Sequence, residues 1–192
     1  MPGDWMELAT YGLNLPTPIN LYVGVAVPSG TDHERRQELV KAGREAGWDA
    51  VLLVNAVRAA AEGLKRSGAQ AVVVIDGERS SIGLCEGGRL QTHDHVSQIL
   101  GREAREVAIS LRCLLKDRPK EEQRQLLKNV VVVGDRSEIE RVGRRHYERE
   151  LADLGSARVE FELDPFLIAQ GAALIALNTQ KIQWRRLRRA QR

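Results

Sequence analysis

The chain has 192 residues, 43% of them hydrophobic and 29% charged, which is enough apolar content for a full core and too much for a disordered polymer. Its formal charge of +3 is local in origin: Arg185, Arg186, Arg188, Arg189 and Arg192 crowd the end, and the near-neutral, mixed-sign body does not imply a general nucleic-acid-binding face, so a nucleic-acid partner is not expected. No apolar run reaches about 18 residues, and Met1-Pro2-Gly3-Asp4 lacks the basic and apolar pattern of a signal peptide, so the cytoplasm is the expected location.

Residues 1–20 hold Pro2, Pro16 and Pro18 with little periodicity and read as an extended lead-in. Leu21 to Val27 is an apolar, β-branched strand run stopped by Pro28-Ser29-Gly30. Thr31 or Asp32 caps a helix carrying Leu39, Ala42 and Ala46 at helical spacing and ending at Gly47. Trp48 to Val54 is a second strand, and the alanine-rich Ala56 to Lys65 a second helix with Gly68 in the turn beyond it. Ala71 to Ile75 is a buried-strand run turned by Asp76-Gly77. Ser81 to Glu86 pairs back, and Gly87-Gly88 turns the chain into a third meander strand, Arg89 to Thr92.

Apolar spacing through Ile99, Leu100, Val107, Leu111, Leu114 and Leu115 predicts one amphipathic helix over about residues 96–115. Pro119 opens a short helix through Leu127, and Val130 to Val133 is a central strand ended by Gly134. Ser137 to Leu154 reads as one helix and Arg158 to Leu163 as a strand. Asp164 then caps a last helix with Pro165 in its first position. Strands alternating with helices give a layered α/β fold with a mixed sheet flanked by helices. Cys85 and Cys113 fall in apolar-patterned segments and are expected as buried, reduced thiols.

Four collinear blocks resemble the actin-like ATPase superfamily, in particular its MreB and DnaK-type chaperone branches. Val25 to Gly30, followed by Arg35-Arg36 and Ala42-Gly43-Arg44-Glu45-Ala46-Gly47, looks like the family's strand, "VP" turn and A-G-x-x-A-G helix. Asn55-Ala56-Val57-Arg58-Ala59-Ala60-Ala61 stands where the family has N-E-P-x-A-A-A or E-E-P-x-A-A-A. Val72 to Leu84 occupies the place of the second phosphate loop, and Val131-Val132-Val133-Gly134-Asp135-Arg136-Ser137 that of the adenosine motif V-G-G-x-S. Asp164-Pro165 and Gly171-Ala172-Ala173 match the closing helix.

The resemblance implies an actin-like (ribonuclease H-like) fold with a truncated first lobe, because only about twenty residues precede the "VP" strand and none matches the family's first phosphate loop. The implied organisation is a lead-in at 1–20, a remnant of the first lobe at 21–66, a second lobe at 67–178 and a basic tail at 179–192. It requires the strand ending at Asp76 and the strand ending at Gly134 to be neighbours in one sheet.

It also implies ATP or ADP with magnesium as the cofactor, held by Asp76, Gly77, Arg79, Ser80, Ser81, Gly134, Arg136 and Ser137. A phosphate loop presents successive backbone N–H groups to an anion, which calls for glycines and a hydroxyl donor. Here Glu78 and Arg79 replace glycines while Ser80 and Ser81 keep the hydroxyls. Asp76 matches the aspartate that holds magnesium-bound water, or is a turn aspartate bonding backbone N–H groups. Ala56 stands in place of the glutamate that orients attacking water, and an alanine accepts neither a proton nor a hydrogen bond. Asp135 replaces the adenosine motif's second glycine.

Other chemistries have thinner support. His93, Asp94 and His95 offer metal donors without a supporting ligand at useful spacing and read as a solvated loop. No G-x-S-x-G elbow surrounds Ser29, Ser80 or Ser81, and His146 lies on a charged helix without an evident partner. The tail places Ile182, Trp184 and Leu187 among Arg185, Arg186, Arg188 and Arg189. It suits an anionic membrane surface, peripheral to the inner membrane, or a solubilising helix end. Three functions are therefore expected: a non-hydrolytic actin-like scaffold acting through a protein partner or self-assembly, a true ATPase, or a peripheral membrane adaptor.

Overall fold

The computed structural model describes residues 22–28, 30–77, 79–86, 89–90, 97–99, 103–156 and 158–190, with 89–90, 97–99 and 182–190 described by their backbone alone. Strand β1 (Tyr22–Val27) leads through helix α1 (His33–Glu45) to β2 (Ala50–Asn55) and α2 (Ala56–Leu64). Strands β3 (Ala69–Asp76), β4 (Arg79–Glu86), β5 (Arg89–Leu90) and β6 (Ser97–Ile99) follow. Then come α3 (Ala104–Leu115), α4 (Lys120–Lys128), β7 (Val130–Val133), α5 (Arg136–Val142), α6 (Arg144–Ala152), β8 (Val159–Glu162) and α7 (Leu167–Ala190).

Strands β1 and β2 form a two-stranded parallel sheet with Tyr22 opposite Ala50 and Val27 opposite Asn55. The other six form a mixed sheet in the order β5-β4-β3-β7-β8, with β6 also paired to β4. At its centre β3 is antiparallel to β4 and parallel to β7, with Ala71 opposite Val130 and Val74 opposite Val133. The strand ending at Asp76 and the strand preceding Gly134 are thus direct neighbours, as the resemblance requires.

Alternation along these strands builds two cores. Val73, Ile75, Ile82, Leu84, Val130 and Val132 face α3 to α6 and pack on Leu111, Leu126, Ile139, Tyr147 and Leu151. Val72, Val74, Val131 and Val133 point the other way, onto Ala56, Val57, Ala60 and Ala61 of α2 and Leu167 of α7. Because both faces are covered, β3 and β7 read as continuous apolar runs rather than alternating ones. A third cluster, Val54, Ala59, Ala172 and Ile175 with Ala26 and Leu52 against it, fixes the small sheet to the same two helices. Helices α2 and α7 therefore lie between the sheets.

Local chemistry sets the helix starts. Asp32, not Thr31, caps α1 by accepting the Arg35 N–H at 2.7 Å, while the Thr31 hydroxyl donates to the Pro28 carbonyl. Asn55 caps α2 by accepting from the Val57 N–H at 2.9 Å. Phe161 of β8 meets Tyr147 edge-on and lies under the Arg144 guanidinium, fastening α6 to that strand.

Several expectations are corrected. The helix expected over 96–115 starts at Ala104, and Ser97–Ile99 instead forms β6, paired with Ser80 to Ile82. The helix expected over 137–154 is two helices, broken at Gly143 with φ +88°. Helix α7 starts at Leu167, because Asp164 uses its side chain to accept the Phe166 N–H in a preceding turn. The second strand begins at Ala50 rather than Trp48. Cys113 is exposed, whereas Cys85 is buried as expected, and its burial pushes the thiol up to about 12. The Gly87-Gly88 turn and the His93 to His95 stretch lie outside the described residues.

Candidate functional site

Three parallel strand ends converge on one cleft. Ala26 and Pro28 at the end of β1, Val74 to Asp76 at the end of β3, and Val133-Gly134 at the end of β7 line it together with the start of α2 at Ala56. Asp135 and Glu138 of the α5 start and Asp164, Pro165 and Ile168 of the α7 start complete a space of about 410 Å³. A crevice outside the carboxyl ends of parallel strands is where open α/β sheets bind ligands, since helix starts and free backbone amides gather there. A groove of about 460 Å³ beside Arg36, Val40, Arg44 and Leu53 runs along one helix face and gathers no strand ends.

The cleft has an apolar floor and a rim of four carboxylates, Asp76, Asp135, Glu138 and Asp164, with no lysine, arginine or histidine among the described residues that line it. Three of them accept hydrogen bonds, Asp164 from the Phe166 N–H at 2.9 Å. Asp135 caps α5 and accepts both the Ser137 hydroxyl, at 2.5 Å, and the Ser137 N–H, at 2.8 Å. These bonds, the hydroxyl first, hold its carboxyl below the usual aspartate value. Glu138, one helical turn on, accepts the backbone N–H of Gly77 at 2.8 Å across 61 residues of sequence. Among the described residues no group of three or more metal-ligating side chains converges.

Of the residues expected to bind nucleotide, Asp76 and Gly134 line the cleft. Gly77 adjoins it through its bond to Glu138. Arg79 is exposed at the start of β4, and Ser80 and Ser81 are buried within that strand at 1% and 6% exposure. Arg136 is exposed and Ser137 is turned to Asp135. Ala56 presents a methyl group to the cleft at the first position of α2. Trp184, Arg185, Arg186, Leu187, Arg188 and Arg189 continue α7 as helical backbone, with their side chains outside the described residues. No described helix is long and apolar enough to cross a membrane.

Glu138 is not among the site residues that the resemblance implies. Its signal is present nonetheless: Asp135-Arg136-Ser137-Glu138 has the spacing of a capping box, in which the fourth residue's carboxylate normally turns back to the capping residue's own N–H. Here it reaches the turn after β3 instead.

The sequence matches no protein family and no curated protein. Solved structures do match. A MamK double helical filament superposes with a TM-score of 0.70 at 16% identity, covering 90% of this chain and 72% of that one. MreB5 of Spiroplasma citri bound to ADP gives 0.60 at 13% identity, over 84% and 70%. The ethanolamine utilization protein EutJ from Carboxydothermus hydrogenoformans gives 0.55 at 18%, over 80% and 66%.

Proposed function

We propose that this chain, which carries the actin-like fold, is a non-hydrolytic cytoplasmic scaffold or assembly protein: it engages a protein partner or further copies of itself, and its cleft holds adenine nucleotide weakly or not at all. The observation that carries this reading is Ala56. It stands at the first position of α2, where hydrolysis by the family's route needs a carboxylate to orient water, and it lines the cleft at 6% exposure. The carboxylate rim supports the same reading, because four acids with no basic side chain among the described lining residues oppose a polyphosphate rather than attract one. Self-assembly is supported by the fold neighbour solved as a double helical filament.

The neighbour bound to ADP favours the rival reading of a working ATPase. Titration calorimetry with magnesium and ATP, joined to a phosphate-release assay, separates the two. The scaffold reading expects dissociation constants in the millimolar range or no heat, and no turnover. Micromolar binding with magnesium-dependent phosphate release would overturn it.

A further inference from the structure

The bond between Glu138 and Gly77 has a chemical meaning beyond the loss of hydrolysis, and it rests on the actin-like, non-hydrolytic reading of the same cleft. Gly77 follows the last residue of β3 and takes φ +62°, the left-handed conformation that lets a turn present its N–H groups outward. In a phosphate loop such an N–H donates to an anionic oxygen of the ligand. In this chain it donates to a carboxylate oxygen of Glu138, at 2.8 Å in a partly buried position. The carboxylate supplies an anionic oxygen acceptor, as a phosphate would.

We propose that Glu138 is the residue that sets what this cleft accepts: its carboxylate stands in for a ligand phosphate on the Gly77 amide and keeps phosphate-bearing ligands out. Two effects act together. The donor is already satisfied, so an incoming phosphate must displace a charge-assisted hydrogen bond rather than gain one. The side chain also places a negative charge beside the position of that phosphate, with Asp76 and Asp135 lining the same cleft. The local geometry supports a dedicated role for the side chain, because Asp135 caps α5 through the Ser137 hydroxyl and N–H and the Glu138 backbone N–H, none of which engages the Glu138 carboxylate. Glu138 is thus free to reach the strand turn, and the two motifs that a nucleotide would bridge are bridged by a side chain.

Glu138→Gln keeps an oxygen acceptor for Gly77 and removes the charge; Glu138→Ala removes both. Calorimetric titration of the full chain and both variants with ADP, and separately with inorganic phosphate, tests the assignment, with circular dichroism verifying that each variant is folded. The expected order of affinity is wild type, then Glu138→Gln, then Glu138→Ala, with a gain of at least about tenfold for the last, the size of effect that one charge-assisted contact commands. If Glu138→Ala does not fold, Glu138→Gln carries the test with an expected gain of about threefold or more. Folded variants that bind ADP and phosphate no better than wild type overturn the role of Glu138 and leave the scaffold reading standing. Tight magnesium-ATP binding with turnover by the wild-type chain overturns the scaffold reading, and with it the exclusion of phosphates by Glu138.

Discussion

Burial separates the two cysteines more sharply than their sequence surroundings do. Both stand in apolar-patterned segments, yet Cys85 lies in β4, covered on both faces of the sheet, while Cys113 lies on the outer side of α3. Removing the Cys85 thiol from water disfavours its thiolate and pushes it up to about 12, so at pH 8 the reactive form is nearly absent. A disulfide-exchange reagent such as Ellman's is therefore expected to take one fast equivalent from the native protein, none from Cys113→Ser, and a second only in denaturant. Two fast equivalents from the native wild type would contradict the burial of Cys85. The same distinction between pattern and place applies at Ser80 and Ser81. Their hydroxyls fit a phosphate loop by sequence, but Ser80 pairs with Ile75 and Ser81 with Val74 inside the strand ladder, where both are buried.

At the scale of elements, the central strands were legible because their chemistry has one reading: four successive valines at Val130 to Val133 suit only a strand covered on both faces. Helices with a short residue at the cap, after Asp32 and Asn55, were legible for a similar local reason. The failures have non-local causes. Ser97–Ile99 fits a helical period, and its pairing to Ser80–Ile82 of β4 overrides that period through backbone hydrogen bonds invisible in sequence. The break at Gly143 lies in a charged stretch whose periodicity runs on across it. Cleft residues Asp76 and Gly134 were legible from the motifs, whereas the Glu138 contact joins segments 61 residues apart and depends on register.

The crossing of α2 and α7 tests element packing directly. A Cβ on Gly171 would lie 1.8 Å from the Ala59 carbonyl oxygen and 2.9 Å from the Gly63 nitrogen, and a Cβ on Gly63 would meet the Leu167 carbonyl oxygen at 2.5 Å. These obstructions are backbone atoms, so no side chain can swing aside and the helices must separate. Gly171→Ala is expected to destabilise the chain by about 3 kcal/mol or more, read from the midpoint of urea unfolding. The exposed neighbour Ala173→Ser should stay within about 0.5 kcal/mol. Equal, small effects at the two sites would mean that the helices are not in backbone contact.

At the scale of the whole molecule, the two sheets differ in how completely they are enclosed, and that difference predicts an order of opening. Strands β3 and β7 are buried along nearly their whole length, with neighbours on both edges and helices on both faces. Strands β1 and β2 are mostly half-buried, and among the described residues each has one strand neighbour. They depend on α2 and α7 for their inner cover through Val54, Ala59, Ala172 and Ile175. Local opening costs least where few apolar contacts must be broken and backbone amides lie near solvent. Amide exchange followed by mass spectrometry should therefore show peptides spanning 22–27 and 50–55 exchanging well before those spanning 71–75 and 130–133. The slowest set should report the global unfolding free energy. Because the cleft is walled by β1 on one side and by β3 and β7 on the other, a ligand that clamps it would slow exchange in the small sheet selectively. In the wild-type chain, at an ADP concentration that saturates Glu138→Ala, the exclusion of phosphates by Glu138 predicts no such slowing. In Glu138→Ala it predicts protection of 22–27 that rises with ADP concentration, and protection in the wild type instead would place the nucleotide in the cleft despite the carboxylate.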